Sequence, residues 1–133
     1  MKYEHLLNKL YDTNGYGPDK FSCWGLCKEL LKDKYDLPKF EVEDDEVSIL
    51  KEVIANNIDS VVEEIKEPEE GCLVTFWIRP PYTSHIGIVT KEDDGWYFIH
   101  VLKQSGVTKE RLYHPLWKKR ITGFYRIRDK YAK

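Results

Sequence analysis

The chemistry this chain could perform starts at Phe21-Ser22-Cys23-Trp24-Gly25-Leu26-Cys27. Leu26, Leu30 and Leu31 recur at helical spacing, with Trp24 and Cys27 beside them, and predict a helix. Ser22 is suited to its N-cap, since a hydroxyl oxygen can accept from a backbone N–H that the first turn leaves unpaired. Cys23 then falls in the first turn, where free N–H groups and the positive end of the helix dipole favour the thiolate. A thiolate that attacks carbonyl carbon needs a base. The chain has four histidines, His5, His85, His100 and His114. His85 opens His85-Ile86-Gly87-Ile88-Val89 and His100 closes Trp96-Tyr97-Phe98-Ile99-His100, both of which read as strands. A cysteine early on a helix and histidines far downstream on a sheet can meet in space to cleave amides through a thioester. Cys27, at i+4 from Cys23, reads as a core residue, and adjacent helical turns do not suit a disulfide between the two. A zinc site of Cys23, Cys27, His85 and His100 is the competing chemistry, although paired knuckle spacing is absent. His5, His114 and the run Lys118-Lys119-Arg120 read as solvated surface.

The elements that must position these groups follow from pattern. Residues 3–11 carry Leu6, Leu7 and Leu10 and predict a short helix, ended by the turn cluster Asn14-Gly15-Tyr16-Gly17-Pro18-Asp19. The Cys23 helix is expected to run to about Tyr35 and to stop before Leu37-Pro38. Asp44 or Asp45 caps a second helix through Val47, Leu50, Ile54 and Ile58, and Val61–Ile65 can be read as helix or as extended chain. Beyond Pro68 the period changes to two. Strands are expected at Cys72–Ile78, His85–Thr90, Trp96–Leu102, Val107–Leu112 and Ile121–Ile127, with a hairpin around Glu92-Asp93-Asp94-Gly95. Helices followed by strands predict an α+β fold with an antiparallel sheet.

Composition bounds the function. A chain of 133 residues suits one domain with one core. A formal net charge of -2 and the lack of a phosphate-cradling glycine loop argue against nucleic acid as a partner. Nothing approaches the ~20 apolar residues of a membrane span. Met1-Lys2-Tyr3-Glu4-His5 leads into a charged amphipathic run, which does not read as a signal peptide. Three cysteines, an odd number, fit synthesis in a reducing cytoplasm.

The ordered set Tyr11 through Gly15, Ser22-Cys23-Trp24-Gly25-Leu26, Gly71-Cys72-Leu73-Val74-Thr75-Phe76, His85-Ile86-Gly87-Ile88-Val89, Phe98-Ile99-His100-Val101 and Ile121-Thr122-Gly123-Phe124-Tyr125-Arg126 resembles the NlpC-type cysteine peptidases, a papain-like family of bacterial and phage cell-wall hydrolases. The resemblance implies a single NlpC-type domain over residues 1–133, with N-terminal helices packed on an antiparallel sheet. It implies Cys23 as nucleophile, His85 as general base, His100 as the third member orienting His85, and Tyr11 near the oxyanion. No metal or cofactor is needed for such chemistry. The implied substrate is the peptide stem of bacterial peptidoglycan, cut after a D-glutamyl residue linked through its side chain. Trp24 after the cysteine, with Gly17-Pro18-Asp19 before it, most resembles the branch found in phage tail-tip proteins, which implies incorporation into a phage or prophage tail with other tail proteins as partners. From residue type alone, Trp24, Trp77 and Tyr82 are candidates to line a groove for the stem peptide. Two positions depart from the family pattern: Ser22 stands where the family has Asp, and Cys72 where it has the Asp of Gly-Asp. Neither removes a catalytic group. A catalytically silent binding module of the same fold is the alternative.

Overall fold

The helix that the Ser22 cap predicts is present. In the computed structural model, which describes residues 1–40, 58–79 and 82–133, α1 spans Cys23–Leu30. Ser22 Oγ accepts from Gly25 N at 2.9 Å and donates to the Gly15 carbonyl at 3.2 Å. A carboxylate could only accept, so the hydroxyl has a physical reason to stand at this cap. The same turn holds position 25 to glycine: a Cβ there would lie 1.9 Å from Gly15 O. α1 ends earlier than the predicted limit near Tyr35, and residues 31–34 continue as turns. Leu31 remains buried, so the apolar period outlasts the helix itself.

The helix expected over residues 3–11 shrinks to a 3-10 turn at Glu4–Leu6. Asn8 adopts a positive φ of 71°, which breaks helical progression. The chain then forms β1 (Leu10–Tyr11), paired in parallel with β2 (Lys20–Phe21). The helix expected from Asp44 or Asp45 through Ile54 lies outside the described residues. A single turn, α2 (Ile58–Val61), leads directly into β3 (Val62–Ile65), so the stretch with two readings is extended.

The strand expectations hold with shifted ends. β4 is Leu73–Arg79, β5 Tyr82–Glu92, β6 Gly95–Leu102, β7 Gly106–Arg111 and β8 Ile121–Ile127, with α3 (Pro115–Lys118) between the last two. Asp93 and Asp94 close the β5–β6 hairpin, with Glu92 opposite Gly95. The sheet runs β3-β8-β4-β5-β6-β7, antiparallel at every pairing. This is the α+β fold with an antiparallel sheet.

Strand alternation divides the core in two. Leu73, Ile86, Ile88, Ile99 and Val101 pack with Cys23, Trp24, Leu26, Cys27 and Leu30 of α1. Val74, Phe76, Val89 and Phe98 pack on the other side with Leu112 and with Trp117 of α3. Each fully buried Ile, Leu or Phe contributes about 1.5–3 kcal/mol, so α1 and α3 are both held by substantial apolar contact.

Candidate active site

Cys23 is the first residue of α1, and α1 packs against β5 and β6, the two strands that carry His85 and His100. The thiol is fully buried within the helix-side cluster. Cys27, one turn on, is also buried, and burial, reinforced by the neighbouring Cys23, pushes its thiol well above the ordinary cysteine range. It is a core residue. Cys72 is buried at the start of β4, and desolvation raises it to about 11, which makes it a poor nucleophile.

His85 and His100 are both completely buried. They are brought together on the opposite face of the sheet from Ile86 and Ile99. His85 Nε2 and His100 Nδ1 lie 2.7 Å apart. Gly87 makes room for this pair, because a Cβ there would come within 3.0 Å of Phe98 and 3.4 Å of the His100 Cβ. His100 Nε2 is bonded in turn to Glu110 Oε2 on β7, and Glu110 Oε1 accepts from the Trp117 indole N–H at 3.0 Å. Trp117 stacks on His85, with ring centroids 6.2 Å apart and planes 26° apart, and meets His100 edge-on at 5.0 Å. The relay is therefore His85, His100, Glu110, Trp117. Sequence reasoning supplied only its first two members. Glu110 becomes readable only once the β6–β7 register places it across from Phe98, two residues from His100 on the same face.

The charges of the relay follow from its surroundings. Burial, and secondarily His100, hold His85 well below the ordinary imidazole range, so it rests neutral. Burial also lowers His100, against the opposing pull of Glu110. The His100 hydrogen bond, aided by the Trp117 donor, lowers Glu110, so it is an anion. The His85 Nδ1 atom has no hydrogen-bond partner among the described residues.

Tyr11 stands beside the cysteine turn, because the β1–β2 pairing sets it opposite Phe21. It is half-buried and packs against the helix-side cluster. The groove expectation for Trp24 is corrected. Trp24 is 1% exposed, packs against Phe40 at 5.5 Å and donates its indole N–H to Pro38 O at 2.8 Å, so it is a core residue with its polar atom spent. Trp77 is half-buried, with the Arg120 guanidinium 5.3 Å from its ring centre. The side chain of Tyr82 lies outside the described residues. Among the described residues, which include Cys23, Cys27, His85 and His100, no group of three or more His, Cys, Asp or Glu is placed to hold a metal ion. His5 and His114 are exposed as expected, and His114 additionally caps α3 by accepting from Leu116 N at 3.1 Å.

Comparison with known proteins decides the family. The NlpC/P60 family matches residues 8–126, a span that includes Tyr11, Cys23, His85, His100, Glu110 and Trp117. The chain belongs to the NlpC/P60 family. Members of this family are generally cysteine peptidases. Among solved structures, the chain is similar to a protein of Staphylococcus aureus subsp. aureus Mu50 described as similar to a lipoprotein of the NLP/P60 family, with 20% identity and a TM-score of 0.61. The match covers 92% of this chain and 37% of that one, so this NlpC/P60 chain spans well under half of its structural relative. At this identity the likeness bears on the fold. No curated protein matches the chain.

Proposed function

We propose that this NlpC/P60 domain is a cysteine endopeptidase or amidase that hydrolyses the peptide stems of bacterial peptidoglycan, with Cys23 as nucleophile, His85 as general base and His100 as the residue that orients it. The observation that carries this reading is the pairing of His85 Nε2 with His100 Nδ1, which commits one ring nitrogen and leaves Nδ1 for a thiol. In the reaction, the Cys23 thiol gives its proton to His85 Nδ1 and the sulfur bonds to the stem carbonyl carbon. His85 then protonates the departing amine as the C–N bond breaks. His85 next takes a proton from water as the hydroxide attacks the thioester carbonyl, the C–S bond breaks, His85 returns that proton to the departing Cys23 sulfur, and the acid product leaves. The backbone N–H of Cys23 and the hydroxyl of Tyr11 are the proposed oxyanion donors. Cys23 packs with Ile86 and Ile99 on the helix side while the two imidazoles meet Phe76, Phe98 and Trp117 on the other face of the sheet, so this mechanism requires a rearrangement that brings the thiol within hydrogen-bond reach of Nδ1.

The proposed bond follows a D-glutamyl residue linked through its side chain, and Trp77 and Tyr82 are the remaining aromatic candidates for stem contact. The proposed setting is a phage or prophage tail, supported by Trp24 directly after the cysteine and Gly17-Pro18-Asp19 before it. Release of a new amine and a new carboxylate from purified muropeptides, lost in Cys23→Ala, tests the activity. Detection of the chain in purified particles tests the setting. The full burial of Cys23 favours a second reading, a binding module of the same fold without turnover. Its signature is stem-peptide binding that Cys23→Ala leaves unchanged, with no cleavage by either protein.

A further inference from the structure

The two histidines do not by themselves decide which nitrogen carries which proton. A neutral imidazole has one donor and one acceptor nitrogen, so a His–His hydrogen bond can run in either direction. One direction leaves a lone pair on His85 Nδ1, and the other leaves a proton there. Only the first makes His85 a base toward a thiol at that atom.

We infer that Glu110 is the positioning residue that sets this direction: its carboxylate, held by Trp117, fixes His100 and then His85 as Nε2–H tautomers and leaves His85 with a lone pair at Nδ1. A carboxylate can only accept, so His100 must present a proton at Nε2 to Glu110 Oε2. His100 Nδ1 is then an acceptor, and His85 must donate to it from Nε2 across the 2.7 Å contact. The remaining nitrogen, His85 Nδ1, is left unprotonated, and it is the relay nitrogen without a partner among the described residues. Trp117 makes the arrangement one-way. Its indole is a donor only, and it occupies Glu110 Oε1 at 3.0 Å. An acceptor oxygen is therefore required at that position, whatever residue supplies it. The Glu110 side chain is 33% exposed while both histidines are fully buried, so the anion sits at the rim and its influence passes inward through hydrogen bonds.

This inference rests on the reading of His85 as a base, and Glu110→Gln tests it separately. Glutamine matches glutamate in shape, but Trp117 selects its oxygen and turns its amide NH2 toward His100. His100 then accepts at Nε2, donates from Nδ1, and forces a proton onto His85 Nδ1. Long-range proton–nitrogen correlation spectra of the full chain with labelled histidine, assigned through contacts to the Phe76, Phe98 and Trp117 rings, read the tautomers directly at neutral pH. The expected result is Nε2–H on both rings in the unsubstituted protein and Nδ1–H on both in Glu110→Gln. Glu110→Ala, which removes the acceptor without supplying a donor, gives a mixture of the two. Alkylation of Cys23 by iodoacetamide slows by at least about tenfold in Glu110→Gln, as expected when a general base is held in the wrong tautomer. An Nδ1–H on His85 in the unsubstituted protein, or unchanged tautomers in Glu110→Gln, overturns the inference. Tautomers that switch as expected around a Cys23 that is inert in every variant sustain the role of Glu110 and overturn the peptidase reading instead.

Discussion

On the helix side of the candidate site, the thiol, its cap and the turn that pins the cap all fall within residues 15–27: Gly15 O, Ser22 Oγ, Cys23 and Gly25 form one continuous local structure. On the sheet side, the relay gathers His85 from β5, His100 from β6, Glu110 from β7 and Trp117 from α3. Local chemistry alone explains the first, because a cap and a glycine contact depend on neighbours in the chain. The second depends on strand register. A slip of one residue in β7 would send Glu110 to the other face and leave His100 Nε2 without its acceptor. The nucleophile is thus specified by a short motif and the base by the fold as a whole, so damage to the two sides should differ in kind.

Cys23→Ala is the most severe break in activity. It removes the nucleophile, and muropeptide cleavage should fall by roughly 10⁴-fold or more, with the fold retained as judged by circular dichroism. His85→Ala comes next and should cost nearly as much, since nucleophile and base act as a unit. His100→Ala should cost less than His85→Ala, because an orienting residue can be partly replaced by water. A mild loss in His85→Ala beside a severe one in His100→Ala would mean that the two histidines exchange roles. Steady-state cleavage of a defined stem peptide measures all three.

The two sides should also respond differently to acid. His85 and His100 are depressed in the folded protein mainly by burial, so below about pH 6.5 the unfolded chain takes up protons that the folded chain refuses. Stability from this source is complete above that pH and is lost as pH falls toward the lower folded values. Glu110, also depressed, adds a second loss in the lower carboxylate range. Thermal midpoints should therefore decline from about pH 6.5 downward, and replacing both histidines by glutamine should flatten the upper part of that decline. The smallest effect is on the helix side: Ser22→Ala removes the cap acceptor and should cost about 1 kcal/mol, read as a lower denaturation midpoint at unchanged slope.

The same contrast explains what could be read from the amino-acid order. The cap at Ser22, the start of α1 and the strands bearing His85 and His100 were legible because each is a local signal of side-chain type and period. The N-terminal helix was not, because the positive φ of Asn8 and the parallel pairing of Leu10–Tyr11 with Lys20–Phe21 override a short apolar period. Trp24 reads as a groove residue from its type alone, because aromatic type does not tell a ring at a surface from one spending its N–H on Pro38 O inside the core. Glu110 and Trp117 are not legible in the sequence, because nothing near them in the chain marks a histidine partner. Only the β6–β7 register and the placement of α3 bring them to His100.

Catalysis requires that the buried thiol and the buried imidazole act as a pair. Iodoacetamide labelling of the folded protein from about pH 5 to about pH 9, with the modified cysteine mapped by mass spectrometry, asks this without a substrate. If they do, Cys23 labels ahead of Cys27 and Cys72, already at about pH 5–6, and His85→Ala slows this labelling strongly. Labelling of Cys23 only above about pH 8, at a rate indifferent to His85, would mean an ordinary thiol and would contradict that pairing.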